Sequence, residues 1–139
     1  MEGSKLGRIS ALLGIVFGIV LVFGETRRNW GAWGHWASYT FDYLFAVLLV
    51  LFGALALRGV VVARWLLLVT WALTVAMFTY SFTGHVRTLD QPTTGPVPHL
   101  RLTIVIGILG FAALTGLFMS AYSLLRPSKR TETTTASGR

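Results

Sequence analysis

The stretch Leu102–Leu125, LTIVIGILGFAALTGLFMSAYSLL, decides the fold class of this chain. It contains no charged residue, and it exceeds the roughly 20 apolar residues that a helix needs to cross a bilayer. An isolated strand is excluded because lipid offers no partner for unpaired backbone N–H and C=O groups. The stretch therefore predicts a transmembrane helix over about residues 100–125.

Three earlier apolar stretches extend this interpretation. Trp65–Gly84 is long enough to span by itself. Ile9–Gly24 and Tyr43–Leu57 are shorter, and they reach the required length if Arg8 extends its charged end to the interface and the second helix begins near Ser38. We expect an all-α integral membrane protein whose four transmembrane helices form one bundle, over about residues 6–24, 39–57, 62–84 and 100–125.

Composition supports a membrane protein and argues against several other classes. The 139 residues are 54% hydrophobic and 12% charged, with a mean hydropathy of +0.67, whereas soluble domains carry about 25% charged residues. A water-soluble chain of this length leaves too much surface exposed to hide so much apolar area. The net charge of +7 is clustered at the ends of the apolar stretches, so we expect no nucleic-acid partner. The absence of cysteine excludes disulfides and thiolate chemistry.

The distribution of lysine and arginine predicts the orientation of the helices. Positive residues are retained in the cytoplasm, and one side of the proposed bundle holds eight of them: Lys5, Arg8, Arg58, Arg64, Arg126, Lys129, Arg130 and Arg139. The other side holds four: Arg27, Arg28, Arg87 and Arg101. We therefore expect both termini in the cytoplasm and the protein in the cytoplasmic (plasma) membrane.

The connections differ in length and character. Loop 2, Arg58–Arg64, is a short inner hairpin in which Gly59 suits a helix C-cap. Loops 1 and 3 are long and lie outside, and loop 3 contains three prolines, which favour a rigid, partly extended chain. The domain covers 1–126, and the basic tail 127–139 lacks apolar residues and is expected to be a disordered cytoplasmic segment. Val22–Gly24 is a poor match to a signal-peptide cleavage site, so helix one is expected to be retained.

Tryptophans crowd the first outer loop. Trp30, Trp33 and Trp36 recur every three residues, and Tyr39 continues the series, as on one edge of a helical or 3₁₀ turn. Indole rings favour the headgroup level of a bilayer, so these four residues are predicted to be interfacial anchors. The alternative is an aromatic platform for a lipid headgroup, a quinone or a cationic ligand.

Histidines and carboxylates collect on the same predicted side. His35, His85 and His99 lie in loops or at helix ends, and we consider them as ligands of zinc or another transition metal. Their spacing matches no metal-binding motif, and the alternative is that they are solvated or hydrogen-bonded at the interface. Asp42 begins helix two, where a carboxylate either stabilises the helix N-terminus or takes up protons.

The middles of the helices carry no ionisable residue. Proton-coupled transporters usually need one there, so a small multidrug-resistance-type antiporter is disfavoured. Helix three does present a stripe of hydroxyl residues, Thr70, Thr74 and Ser81, which either bond to backbone carbonyls or line a narrow polar path. No nucleotide-binding or hydrolase motif occurs, and no cofactor is predicted.

Small residues form stripes on the first and fourth helices. Such stripes let helices approach closely in lipid, either within one bundle or between copies of a chain. They comprise Gly7, Ala11, Gly14 and Gly18 on helix one and Ala112, Gly116 and Ser120 on helix four.

Three functional hypotheses follow. The first is a non-enzymatic accessory or structural subunit, or a homo-oligomer, whose partners are the bilayer, copies of itself or a larger membrane complex. The second is a small oligomeric channel or transporter that uses the hydroxyl stripe. The third is an outer-face protein that binds a metal, a quinone or a lipid through its loop histidines and tryptophans.

Overall fold

The structure, a computed structural model, describes residues 2–30, 36–90 and 98–125. Over these residues the chain forms four α-helices and no strand. Every one of them is long and apolar enough to cross a membrane, which confirms the predicted all-helical architecture with four such helices over the described residues. The helices are α1 (Glu2–Asn29), α2 (Trp36–Leu57), α3 (Val61–Arg87) and α4 (His99–Leu125).

The helices extend beyond their apolar stretches. α1 continues past Gly24 to Asn29, and α2 already begins at Trp36, so the helices occupy part of the sequence predicted as loop 1. The last turn of α1 holds Arg27 and Arg28, whose charges suit the negative end of the helix dipole. A salt bridge of 3.2 Å joins Arg28 to Glu25 one turn earlier. Hydropathy indicates where the apolar part of a helix ends. The helix itself ends where its backbone N–H and C=O groups no longer find hydrogen-bond partners within the helix.

The turn between α2 and α3 closes α2 as the sequence predicts. Gly59 has a φ of +87°, a left-handed conformation that glycine adopts without steric cost. Its N–H donates to the Ala56 carbonyl (3.1 Å), and the Val60 N–H donates to the Leu55 carbonyl (3.1 Å). This pair of bonds is a Schellman C-cap, and it lets α3 begin at Val61.

Neighbouring helices run antiparallel. α1 and α3 each pack against both α2 and α4. The carboxyl end of α1 meets the amino end of α2 through Thr26 and Tyr43, and the amino end of α1 meets the carboxyl end of α4 at Gly7 and Ser123. The carboxyl ends of α1 and α3 and the amino ends of α2 and α4 therefore share one end of the bundle, which we call the distal end.

Trp71 of α3 fills the centre of the bundle and is fully buried. Its ring lies edge-on to Phe17 of α1, with ring centroids 5.5 Å apart. Gly116 of α4 and Gly14 of α1 leave the space that the indole occupies. Ser10 of α1 donates a hydrogen bond of 3.0 Å to the Gly116 carbonyl, so α1, α3 and α4 meet around this one side chain.

Candidate functional site

The small-residue stripes face the inside of the bundle. On α1, Gly7 faces Ser123, Gly14 faces Leu67 and Trp71, and a Cβ added at Gly18 would lie 2.6 Å from the Ala46 carbonyl oxygen. The other predicted packing residues are buried or packed against the core, namely Ala11, Ala112, Gly116 and Ser120. The stripes thus join helices of the same chain, which is the first of the two roles that the sequence left open.

The hydroxyl stripe of α3 is held by its own helix. Thr70 and Thr74 are buried, and their hydroxyls donate to the carbonyls of Leu66 and Thr70, both at 2.8 Å. Ser81, further along the same stripe, is partly buried. Hydroxyls satisfied by the carbonyl one turn earlier give no support to a polar path along α3.

The predicted aromatic anchors occupy different environments. Trp30 follows α1 and is 78% exposed, as an anchor at the headgroup level requires. Tyr39 is only 6% exposed, and its ring packs edge-on against Tyr43 with centroids 6.1 Å apart. Trp36 begins α2, and Trp33 lies outside the described residues.

The histidines lie at the distal end. His85 is in the last turn of α3, where its Nδ1 is 2.8 Å from the Ser81 carbonyl oxygen, and His99 is the first residue of α4. His35 lies outside the described residues. Within the described ranges no group of three or more histidines and carboxylates is close enough to hold a metal, and the three-histidine metal site stays a prediction.

Charges and hydroxyls from α1 and α2 meet at the distal end. The Thr26 hydroxyl and the Tyr43 hydroxyl are hydrogen-bonded across the two helices at 2.8 Å. Asp42 is partly buried nearby, where the charges of Glu25 and Arg28 act on it. Arg27 and Arg28 are both exposed, but Arg28 is paired with Glu25, whereas Arg27 forms no salt bridge with the residues the structure describes.

An open surface groove with a volume of about 470 Å³ runs along the contact between α1 and α2. The described residues that line the groove are apolar or glycine: Gly18, Ile19, Val22, Phe23, Ala46, Val47, Val50, Leu51 and Ala54.

The sequence did not reveal this groove. The sequence predicts that Gly18 is a packing residue, but it does not show that Gly18 faces Ala46 or that Ala54 completes the same surface. A groove between helices depends on which faces meet, and a hydropathy pattern that is apolar all round leaves that choice open. The one indication in the sequence is the spacing of Ala46, Val50 and Ala54, which lie one turn apart and so share a face of α2.

Comparison with protein families, with curated proteins and with solved structures finds no match for this chain.

Proposed function

We propose that the protein is a small, non-enzymatic integral membrane protein that acts as an accessory or structural subunit, through contacts inside the bilayer with copies of itself or with a larger membrane complex. The observation that carries this proposal is the content of the bundle interior. In the described part of the chain it is filled mainly by apolar side chains around Trp71, and no ionisable side chain is fully buried there.

Four of the hydroxyl side chains buried in the described core donate hydrogen bonds to backbone carbonyls. Ser10 donates to α4, while Thr70, Thr74 and Thr103 donate to carbonyls four residues earlier. Each of these hydroxyls is thereby satisfied without water or a ligand. Such a core supports packing between helices and disfavours a proton or solute pathway through the bundle.

The partly buried acids and histidines of the described chain, Glu25, Asp42, His85 and His99, all lie at the distal end. This placement matches the cost of burying an ionisable group at the centre of a bilayer. Because the small-residue stripes are used inside the bundle, we expect partners to contact the large apolar side chains on its outer surface. Phe118 of α4, which is 70% exposed, is one of them.

Photo-crosslinking in native membranes tests the proposal. Benzoylphenylalanine is placed at one outward position on each helix: Val16, Phe41, Tyr80 or Phe118, all of them exposed. At least one of the four should give a covalent product heavier than the monomer, since a partner covers part of the surface. Mass spectrometry of the product then separates a second copy from another protein.

The matched control places the same amino acid at Phe17, which is buried and faces Trp71. This position should give no intermolecular product, because the bundle's own side chains surround it. Monomer alone from all four outward positions, in membranes with native expression levels, would contradict the accessory-subunit proposal.

A further inference from the structure

We propose that the groove between α1 and α2 holds one acyl chain of a phospholipid, whose phosphate is bound at the distal end by Arg27 and the Thr26–Tyr43 hydroxyl pair. This site goes beyond the accessory-subunit role, because it requires no protein partner. It is also separate from the loop histidines and tryptophans.

The floor of the groove is made by small residues at the helix contact. Gly18 lies against the Ala46 carbonyl, and Ala54 continues the floor on α2. The walls are large side chains that project from the helix surface: Phe23 is 72% exposed and Val47 is 57% exposed. Small residues flanked by large apolar side chains form a channel that is open to lipid, and a flexible hydrocarbon chain fits in it.

The polar groups at the distal end continue the same helix faces. Arg27 lies one turn after Phe23, Thr26 lies one turn after Val22, and Tyr43 lies one turn before Val47. Residues four apart share a face of a helix. A chain lying in the groove therefore leads its headgroup towards Arg27 and the hydroxyl pair.

These groups match a phosphodiester in charge and hydrogen bonding. Arg27 has no salt bridge with the described residues, and a guanidinium binds phosphate oxygens through two parallel N–H donors. The bond between Thr26 and Tyr43 uses one of their two hydroxyl hydrogens. The other hydroxyl hydrogen is free to donate to an anionic oxygen.

Charge complementarity favours a phospholipid over a partner helix. The described lining holds no side chain able to form a hydrogen bond, so a helix docked in the groove would gain packing there but no hydrogen bond. An acyl chain gains little by leaving one apolar medium for another. Selectivity for the ligand must therefore come from its phosphate.

Native mass spectrometry of the delipidated full-length protein in detergent tests the site with three probes. These are dioleoylphosphatidylglycerol, dioleoylglycerol (the same chains without phosphate) and inorganic phosphate (no chains). We expect a one-to-one adduct with the phospholipid and none with the other two at equal concentration. Equal binding of dioleoylglycerol would overturn the role of Arg27 and the hydroxyls.

Two variants address the two halves of the site. Arg27→Gln should weaken the adduct about tenfold, the effect of losing one hydrogen bond between charged groups. Ala54→Phe should abolish the adduct by filling the groove. The matched controls are Arg101→Gln and Ala72→Phe. Arg101 is an exposed arginine of α4 at the distal end, and Ala72 is an exposed alanine of α3. Both controls should bind the phospholipid like the wild type.

Arg27→Gln keeps the test decisive even if Ala54→Phe fails to fold, because Arg27 is exposed. Wild-type binding by both variants would overturn the proposal. A dimer that only Ala54→Phe disrupts, with no lipid adduct on the wild type, would assign the groove to a second copy. The crosslinking experiment at Val16, Phe41, Tyr80 and Phe118 is independent of lipid binding. Failure of the lipid site would therefore not contradict the accessory-subunit proposal.

Discussion

At the scale of single residues, Trp71 decides how closely the helices pack. Its indole is enclosed by Phe17, Gly14 and Gly116, and its Nε1 finds no acceptor among the described residues. An unsatisfied buried donor costs about 1–3 kcal/mol. The ring nevertheless fills a space in which a smaller side chain would leave a destabilising cavity.

Gly116→Ala is expected to destabilise the protein by about 1–3 kcal/mol, the usual cost of overpacking a filled core. A Cβ at Gly116 would lie 2.5 Å from the Trp71 ring, so either the indole or α4 must move. Thermal unfolding in detergent, followed by circular dichroism, measures the change. The shift should be largely reversed by the double variant Gly116→Ala, Trp71→Phe, in which the smaller ring leaves room for the methyl group.

Gly24→Ala is the matched control for this prediction. No atom lies within 4 Å of the position that its Cβ would take, and alanine favours a helix over glycine by up to about 1 kcal/mol. The control should unfold at the wild-type temperature or slightly above it. An equal loss of stability in both variants would show that tight packing at Gly116 is not the cause.

At the scale of single helices, α3 illustrates how polar residues are accommodated in a lipid-facing protein. Thr70 and Thr74 direct their hydroxyls to their own helix, and this leaves their methyl groups to pack in the core. The same residues placed on an aqueous path would instead face water. Accessibility to a water-soluble reagent separates these two roles.

Cysteines introduced at Thr70 and Thr74 should not react with a membrane-impermeant maleimide, because both positions are buried among neighbouring helices. A cysteine at Asp90, which is exposed at the distal end, provides the control and should react within the same time. Labelling is measured as a mass shift in intact vesicles. Fast reaction at Thr70 or Thr74 would revive the channel hypothesis.

At the scale of the whole molecule, the four helices divide the chain into an apolar middle and polar ends. Exposed arginines occur at both ends of the bundle, Arg8 and Arg58 at one and Arg87 and Arg101 at the other. The structure therefore fixes which residues share an end. The orientation is an expectation from the sequence, in which Arg126, Lys129, Arg130 and Arg139 give the side predicted for the termini its excess of positive charge.

Reporter domains fused to the amino and carboxyl termini should both report the cytoplasm, because the sequence predicts eight lysines and arginines on the side of the termini and four on the other. A reporter that fluoresces only in the cytoplasm and an enzyme active only outside it give opposite readings at each terminus. Insertion of the same reporters after Asp90 should report the outside. Opposite compartments for the two termini would contradict the four-span arrangement.

The sequence by itself determined the fold class, the approximate positions of the four helices and the turn at Gly59. Each of these depends on local properties: the length of an apolar stretch compared with the bilayer, and the freedom of glycine to adopt a positive φ. It also singled out Gly18 and Gly116 as contact residues, since small residues are what permit helices to approach in lipid.

Only the tertiary structure decided which faces meet. It showed that Gly18 lies against Ala46, that Gly116 accommodates Trp71 and that Tyr39 is buried rather than exposed. The α1–α2 groove and its alignment with Arg27 follow from those pairings. The physical reason is that every face of these helices is apolar enough for lipid, so hydropathy does not say which face turns inward, and packing between particular side chains makes that choice.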